Sequence, residues 1–144
     1  MTADLLLGPV LANILLTFIV QLTMYRQRMA AIKHNKVRLR EIAHRQQLEQ
    51  QLPQAQATAN NFLNQFELPV IFYAIVGFLM IQNWGGWLPL LLASVFVLSR
   101  TVHAYIHCTS NRVKYRFLAY VFGTWILYGL FAYLAYRWIM HLIY

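Results

Sequence analysis

Apolar residues fall in long unbroken runs. From Leu5 to Met24 no side chain is charged. A helix of that length, at about 1.5 Å per residue, covers the roughly 30 Å hydrocarbon core of a bilayer. From Leu68 to Ser99 a further 32 positions carry no charge, which is too long for one helix across one bilayer. Asn83-Trp84-Gly85-Gly86-Trp87 supplies a turn within that run, and Pro89 opens the next helical segment. Two helices joined by a tight hairpin are therefore predicted, with Trp84 and Trp87 both at the membrane surface as interfacial anchors.

Leu68 to Gln82 is short for a span, so it must recruit the preceding segment. Leu52 to Phe66 is polar but uncharged, and a helix starting just after Pro53 would be polar early and apolar late. Its polar part must face other helices, water or a ligand, because lipid would be costly. The third span runs from about Trp87 to His107 and the fourth from about Tyr115 to His141, with Thr109-Ser110-Asn111 as a break. The expectation is a single all-α integral membrane domain over 1–144, with spans near 5–25, 54–82, 87–108 and 115–141 and a basic loop near 26–53. A cleavable signal peptide is not expected. Only Asp4 is charged before the first run, and the basic residues come after it.

Composition agrees with this reading. Hydrophobic residues make up 60% of the chain and charged residues 11%, against about 45–50% and 25% in soluble domains. That excludes a disordered chain, a collagen-like fibre and a typical soluble enzyme. The lone cysteine, Cys108, excludes a disulfide scaffold. A net charge of +8 on a soluble protein would suggest nucleic acid. Here the basic residues lie between apolar runs, so the expected counterpart is anionic lipid, with no nucleic acid.

Charge also sets the sidedness. Arg26, Arg28, Lys33, Lys36, Arg38, Arg40 and Arg45 fall in the first connection. Arg112, Lys114 and Arg116 fall in the third, with Arg100 just inside it. Both connections lie on one side, which the positive-inside rule makes cytoplasmic. Both termini and the tryptophan hairpin lie opposite, and only Arg137 argues against this.

Polar groups inside a bilayer are expensive and usually functional. Asn64 and Glu67 on span two, Arg100, His103 and His107 on span three, and Arg116 and Tyr120 on span four fall at one membrane depth. Arg26 and Arg28 end span one on the same side. Asn64 and Glu67 are spaced i, i+3, hence on one helix face. Arg100, His103 and His107 form one stripe, and Arg116 and Tyr120 are i, i+4. A single carboxylate among several arginines is expected to be ionised and paired, and a purely structural ion pair of Glu67 with Arg100 is the alternative to a ligand role. The surplus positive charge is available for an anion. A metal site is not expected, because the ligand sets metals require are missing. Cys108 lacks neighbours that would activate a thiolate, and is read as packing.

Asn64-Gln65-Phe66-Glu67-Leu68-Pro69 on a second span resembles the Asn-x-x-Glu signature, with its following proline, of the MAPEG family: membrane-associated proteins of eicosanoid and glutathione metabolism. Arg100-Thr101-Val102-His103, with Arg116 and Tyr120 further on, resembles that family's second signature. The resemblance covers nearly the whole chain and points to a bacterial-type member. It implies a four-helix bundle that forms homotrimers, with glutathione as co-substrate bound between subunits near the cytoplasmic side. A lipophilic substrate would approach from the bilayer. Carried over by position, Arg116 resembles the arginine that stabilises the glutathione thiolate. Asn64, Glu67 and Tyr120 resemble glutathione contacts. Arg28 matches an arginine reaching a glutathione carboxylate from the neighbouring subunit. Arg100 and His103 match polar positions of the third helix, and His107 stands where a tyrosine is found in the family.

Two further departures stand out. Asn60 stands where better-studied eukaryotic members have an arginine, and Phe117 where one branch of the family has a serine. The resemblance therefore implies a membrane-bound glutathione transferase or peroxidase, with a non-catalytic lipid-binding or scaffold protein on the same fold as the alternative. A transporter or channel subunit is disfavoured, because nothing in the sequence resembles a broken-helix ion site. The membrane could be a bacterial inner membrane or the endoplasmic reticulum.

Overall fold

The computed structural model describes residues 3–42, 44, 47, 50 and 52–143. Arg45, one of the basic loop residues, lies outside them. Among the described residues five α-helices carry the fold: α1 (Leu7–Asn35), α2 (Gln56–Asn64), α3 (Leu68–Ile81), α4 (Trp87–Cys108) and α5 (Val113–Ile143). Short 3₁₀ turns lie at Ala3–Leu6, Leu39–Ile42 and Pro53–Ala55. Four of the described helical stretches are long and apolar enough to cross a membrane: Ala3–Asn35, Gln56–Ile81, Trp87–Cys108 and Val113–Ile143.

The first helix does not stop near residue 25. It runs 29 residues, about 43 Å, so its last turns project beyond the hydrocarbon. Nothing between Arg26 and His34 breaks a helix, Ala30 and Ala31 favour one, and Arg26, Arg28 and Lys33 are helical rather than in a loop. The stop is Lys36 in the left-handed conformation (φ 51°), with its N–H on the Ile32 carbonyl. Val37 N–H reaches the same carbonyl at 3.2 Å, which is a Schellman closure. Ile32 and Val37 then pack on a small apolar cluster of Ala31, Leu52 and Ala55, which ties the loop's return to the helix end.

The second span is broken. α2 ends at Asn64 and α3 starts at Leu68, with Pro69 in its first turn. Proline has no N–H to give the carbonyl of Gln65, and its ring crowds that turn. Asn64 and Glu67 therefore do not share one continuous helix face, as their spacing predicts. Asn64 closes α2, and Glu67 sits at the cap of α3 with φ −96° and ψ −100°.

The hairpin also differs from expectation. Trp87 is exposed but Trp84 is buried, at 7%. α3 ends in a second Schellman closure, with Asn83 at φ 53° and Trp84 N–H on Leu79 O at 2.8 Å. This turns the indole inward against Leu79. The Arg137 guanidinium lies over the indole at 5.5 Å and donates to the Tyr133 hydroxyl at 3.2 Å. The one cation that argues against the sidedness is thus held by two aromatic partners.

Packing divides the bundle into two halves. The main apolar core joins Leu6 to Phe72, Ile75, Val76 and Leu79 of α3, Ala93, Phe96 and Val97 of α4, and Leu127 and Leu130 of α5. It lies toward the hairpin. The other half buries polar side chains instead: Thr58, Asn61, Gln65, Arg100, His103 and His107. Between the halves α4 and α5 meet at Gly123, where an added Cβ would stand 2.5 Å from Ser99 Oγ. With Ser99 in place, a larger residue would collide with its hydroxyl. This close approach sets the register that brings Arg100 and His103 opposite Tyr120 and Arg116. Asn13, in the first third of α1, is fully buried and donates to the Tyr73 hydroxyl at 2.8 Å. Outward faces carry Leu11, Leu15, Phe18 and Leu22 on α1 and Phe122, Trp125 and Phe131 on α5, a surface suited to lipid or other helices.

Candidate functional site

The break in the second span creates the site. α2 leaves its C-terminal carbonyls without the partners that a continuous helix would supply. Arg100 answers this. It is fully buried, and its Nη2 donates to the Asn64 carbonyl at 3.2 Å. A cation at a helix C-terminus also complements the helix dipole. Glu67, acidic and just before α3, complements the opposite dipole end.

The structural alternative for Glu67, a hydrogen-bonded pair with Arg100, is not formed. Among the described residues Nε and Nη1 of Arg100 have no hydrogen-bond partner, and Glu67 is exposed. Glu67 acts on Arg100 electrostatically, and the Tyr120 ring lies 5.7 Å from the guanidinium carbon. The carboxylate lines instead a cavity of about 420 Å³.

That cavity collects residues from four helices. Asn60, Leu63 and Asn64 come from α2, Glu67 from the cap of α3, His103 and His107 from α4, and Val113, Arg116, Phe117 and Tyr120 from α5. His103 is the centre of its wiring. Its Nδ1 lies 3.1 Å from the Arg116 carbonyl, which can only accept, so Nδ1 carries the proton. Nε2 is then left to accept from Asn64 Nδ2 at 3.4 Å. One imidazole thus ties α2, α4 and α5 together. The Arg116 guanidinium is aimed by Asn111, whose Oδ1 accepts from Nη1 at 2.6 Å.

Of the sequence-predicted site residues, Asn64, Glu67, His103, His107, Arg116 and Tyr120 line this one cavity. Arg100 stands behind it as the cap of α2. Arg28 lies on α1, half-buried and away from the cavity. The two departures, Asn60 and Phe117, both face the cavity, so the substitutions fall where they alter the chemistry of the wall.

Sequence reasoning misses three residues. Asn111 sits in the α4–α5 turn with φ 46°, and only side-chain geometry shows its reach to Arg116. Asn61 and Gln65 are buried and bonded to each other, with Asn61 Nδ2 also 3.1 Å from Cys108 Sγ. Their signal is the uncharged polar segment that lipid would not accept.

The model of the MAPEG family matches residues 6–136, nearly the whole chain. The chain belongs to the MAPEG family. No curated protein and no solved structure matches it. Every residue of the cavity falls within the matched region, as do all four spanning stretches but for their outer ends. This MAPEG chain is accordingly a membrane protein, and its outward apolar faces are in keeping with lipid. Its cavity combines an arginine, a carboxylate, two imidazoles and a phenol beside apolar Leu63 and Phe117. Such a wall can hold a zwitterionic ligand and stabilise an anion next to apolar surface.

Proposed function

We propose that this MAPEG protein is a membrane-bound glutathione-dependent transferase or peroxidase acting on lipophilic electrophiles. The observation that carries the reading is the convergence of Arg116, Glu67, Asn64, His103 and Tyr120 on one cavity beside an apolar wall. Glutathione presents an amino group, two carboxylates and a thiol. Glu67 suits the amino group and Arg116 suits the sulfur, because a guanidinium beside a thiol favours the thiolate. The thiolate would attack an electrophilic carbon entering past Phe117, forming a C–S bond as the leaving group departs. With a hydroperoxide it would attack the terminal oxygen, the O–O bond breaking as the alkoxide leaves and is protonated to the alcohol, and a second glutathione would then convert the glutathione sulfenic acid to the disulfide and water.

The reading includes a homotrimer in which Arg28 of one subunit reaches a glutathione carboxylate of the next. That would explain why Arg28 lies off the cavity of its own chain. It also places the site at the cytoplasmic side, with the termini opposite.

The test is calorimetric glutathione binding to detergent-purified protein, with conjugation of a panel of lipophilic electrophiles, for wild type and Arg116→Ala. Saturable binding and turnover by wild type, with turnover abolished in a folded Arg116→Ala, supports the reading. A folded wild type that neither binds nor conjugates sinks it. The second reading, a non-catalytic lipid-binding protein, is favoured by Asn60 and Phe117 on the cavity wall, which remove a cation and a hydroxyl where the resemblance leads one to expect them. Turnover that depends on Arg116 counts against it.

A further inference from the structure

A slot of about 410 Å³ runs between α4 and α5, on the side away from the first cavity. The cavity takes Val113, Arg116, Phe117 and Tyr120 from α5, whereas the slot takes Tyr115, Leu118, Ala119 and Phe122. At about 100° per residue these two sets lie on opposite faces of the helix. The slot's floor is half-buried Ala119 and Ser99, and the Ser99 hydroxyl is spent on the Phe96 carbonyl at 2.7 Å. Exposed Leu98 and Val102 form one wall, and exposed Leu118 and Phe122 the other.

Its dimensions are those of a lipid tail. From Val95 to Ile106 it follows α4 for eleven residues, about 16 Å. That is close to half the roughly 30 Å hydrocarbon core, the depth of one leaflet. A helix, about 10–12 Å across with its side chains, is too thick for about 410 Å³ over that length. Tail packing alone selects no lipid, because lipid tails are as apolar as the slot itself. Selection has to come from the head.

Charge at the slot's end toward the α4–α5 turn supplies it. Tyr115, a residue type of the membrane interface, closes the slot there. Lys114 is i, i+4 from Leu118 and shares its face. Arg112 stands one turn before Tyr115, its carbonyl accepting from the Arg116 N–H at 3.1 Å. Helical side chains lean toward the N-terminus, so Lys114 leans over the turn. Both cations are exposed. No acidic side chain follows Glu67 in the sequence. Of the five Lys and Arg residues after it, Arg100 is bonded to the Asn64 carbonyl, Arg116 to Asn111 and Arg137 to Tyr133. Arg112 and Lys114 are the two whose side chains have no partner among the described residues. Two unpaired cations at the end of a tail-length slot are complementary to a phosphate that carries a tail.

We propose that this slot binds one anionic phospholipid, with one tail between α4 and α5 and the phosphate at Arg112 and Lys114. The site shares no residue with the first cavity and stands apart from the glutathione reading.

The test is native mass spectrometry of the full chain in detergent, titrated with phosphatidylglycerol and with phosphatidylcholine of the same tails. Ala119→Phe fills the floor, and Val102→Trp closes the slot from an exposed wall. Arg112→Gln with Lys114→Gln removes the partners of the head. Lys33→Gln with Lys36→Gln removes the same charge from the end of α1. Glycerol phosphate supplies a head without a tail. The expected result is one phosphatidylglycerol per chain, bound at least tenfold tighter than phosphatidylcholine, since each cation near the surface is worth about fivefold. Each filler should weaken it at least tenfold. The Arg112 and Lys114 pair should abolish the preference, and the α1 pair should leave it within twofold. Equal binding of the two lipids by folded wild type overturns the proposal. So does a preference that survives loss of Arg112 and Lys114, or that falls equally with Lys33 and Lys36. Binding unchanged by both fillers overturns it, as does glycerol phosphate bound as tightly as the lipid. Fillers that dissociate a lipid-free oligomer put a second copy of the chain in the slot, which also overturns it. The expected lipid binding in a chain that binds no glutathione overturns only the reading of the first cavity.

Discussion

His103 is hydrogen-bonded through Nδ1 to the backbone carbonyl of Arg116, at 3.1 Å. The bond fixes the tautomer, turns Nε2 toward Asn64, and pins the first turn of α5 against α4. A histidine carried over as a ligand contact is, in this geometry, also the residue that positions the arginine. His103→Phe keeps a ring of similar size but deletes both bonds. Stability should fall by about 1–3 kcal/mol, the cost of leaving buried partners unmet. Glutathione affinity should fall together with the melting temperature. Unchanged thermal unfolding in detergent, followed by circular dichroism, would falsify this role.

Asn111 offers a cleaner separation of position from fold. Its φ of 46° favours glycine, so Asn111→Gly keeps the turn while removing the 2.6 Å bond to Arg116. Loss of one hydrogen bond to a charged group, about 1.5–3 kcal/mol, sets an upper bound of roughly 10–150-fold on the drop in kcat/KM. The expectation is a drop within that bound at an unchanged melting temperature. Asn111→Ala should lose stability as well, because alanine is strained in that conformation. Equal activity in Asn111→Gly and wild type would show that Arg116 holds its position unaided.

Gly123 and Ser99 make a paired test of the α4–α5 register. Gly123→Ala brings a methyl to 2.5 Å from Ser99 Oγ, an overpacking expected to cost about 1–3 kcal/mol. The hydroxyl is the only atom in that clash, since Ser99 Cβ would be 3.5 Å away. Adding Ser99→Ala should therefore restore most of the loss. A double variant no more stable than Gly123→Ala would mean that the backbones themselves cannot accept the methyl.

Asn60 faces the cavity from an exposed position on α2. Asn60→Arg adds a forked cation to the wall that already holds Arg116, and bidentate pairing with a carboxylate is among the stronger polar contacts. Glutathione should bind about 3–10-fold more tightly, with steeper salt dependence, as expected of an added charge pair near solvent. Weaker binding by calorimetry would show that the ligand's carboxylates lie elsewhere.

Much of this architecture is legible in the chain. The spans follow from runs of uncharged residues, and the polar belt follows from the cost of placing charge in lipid. The site is legible as a set of residues but not as a geometry. Spacing puts Asn64 and Glu67 on one face only if the helix is unbroken. Pro69 overrides that, yet both residues still line the same pocket, one from each side of the break. Residue type alone makes Trp84 interfacial, whereas the closing bond to Leu79 and the nearby Arg137 decide its burial. The reach of α1 to Asn35 is hidden because hydropathy reports where lipid ends, and helix propensity carries on past that boundary. Asn111 and Asn61 act through side-chain contacts, which no local pattern encodes.

The interruption at Gln65–Glu67 has a mechanical meaning. A rigid rod would transmit any tilt at Asn64 straight to Phe72 and on into the stacked Phe72–Phe96 pair, whose centroids are 4.7 Å apart. A jointed rod does not. Along this span, the part that lines the polar cavity and the part that packs the apolar core are separate levers, so the two halves communicate through the unbroken α4 and α5 instead.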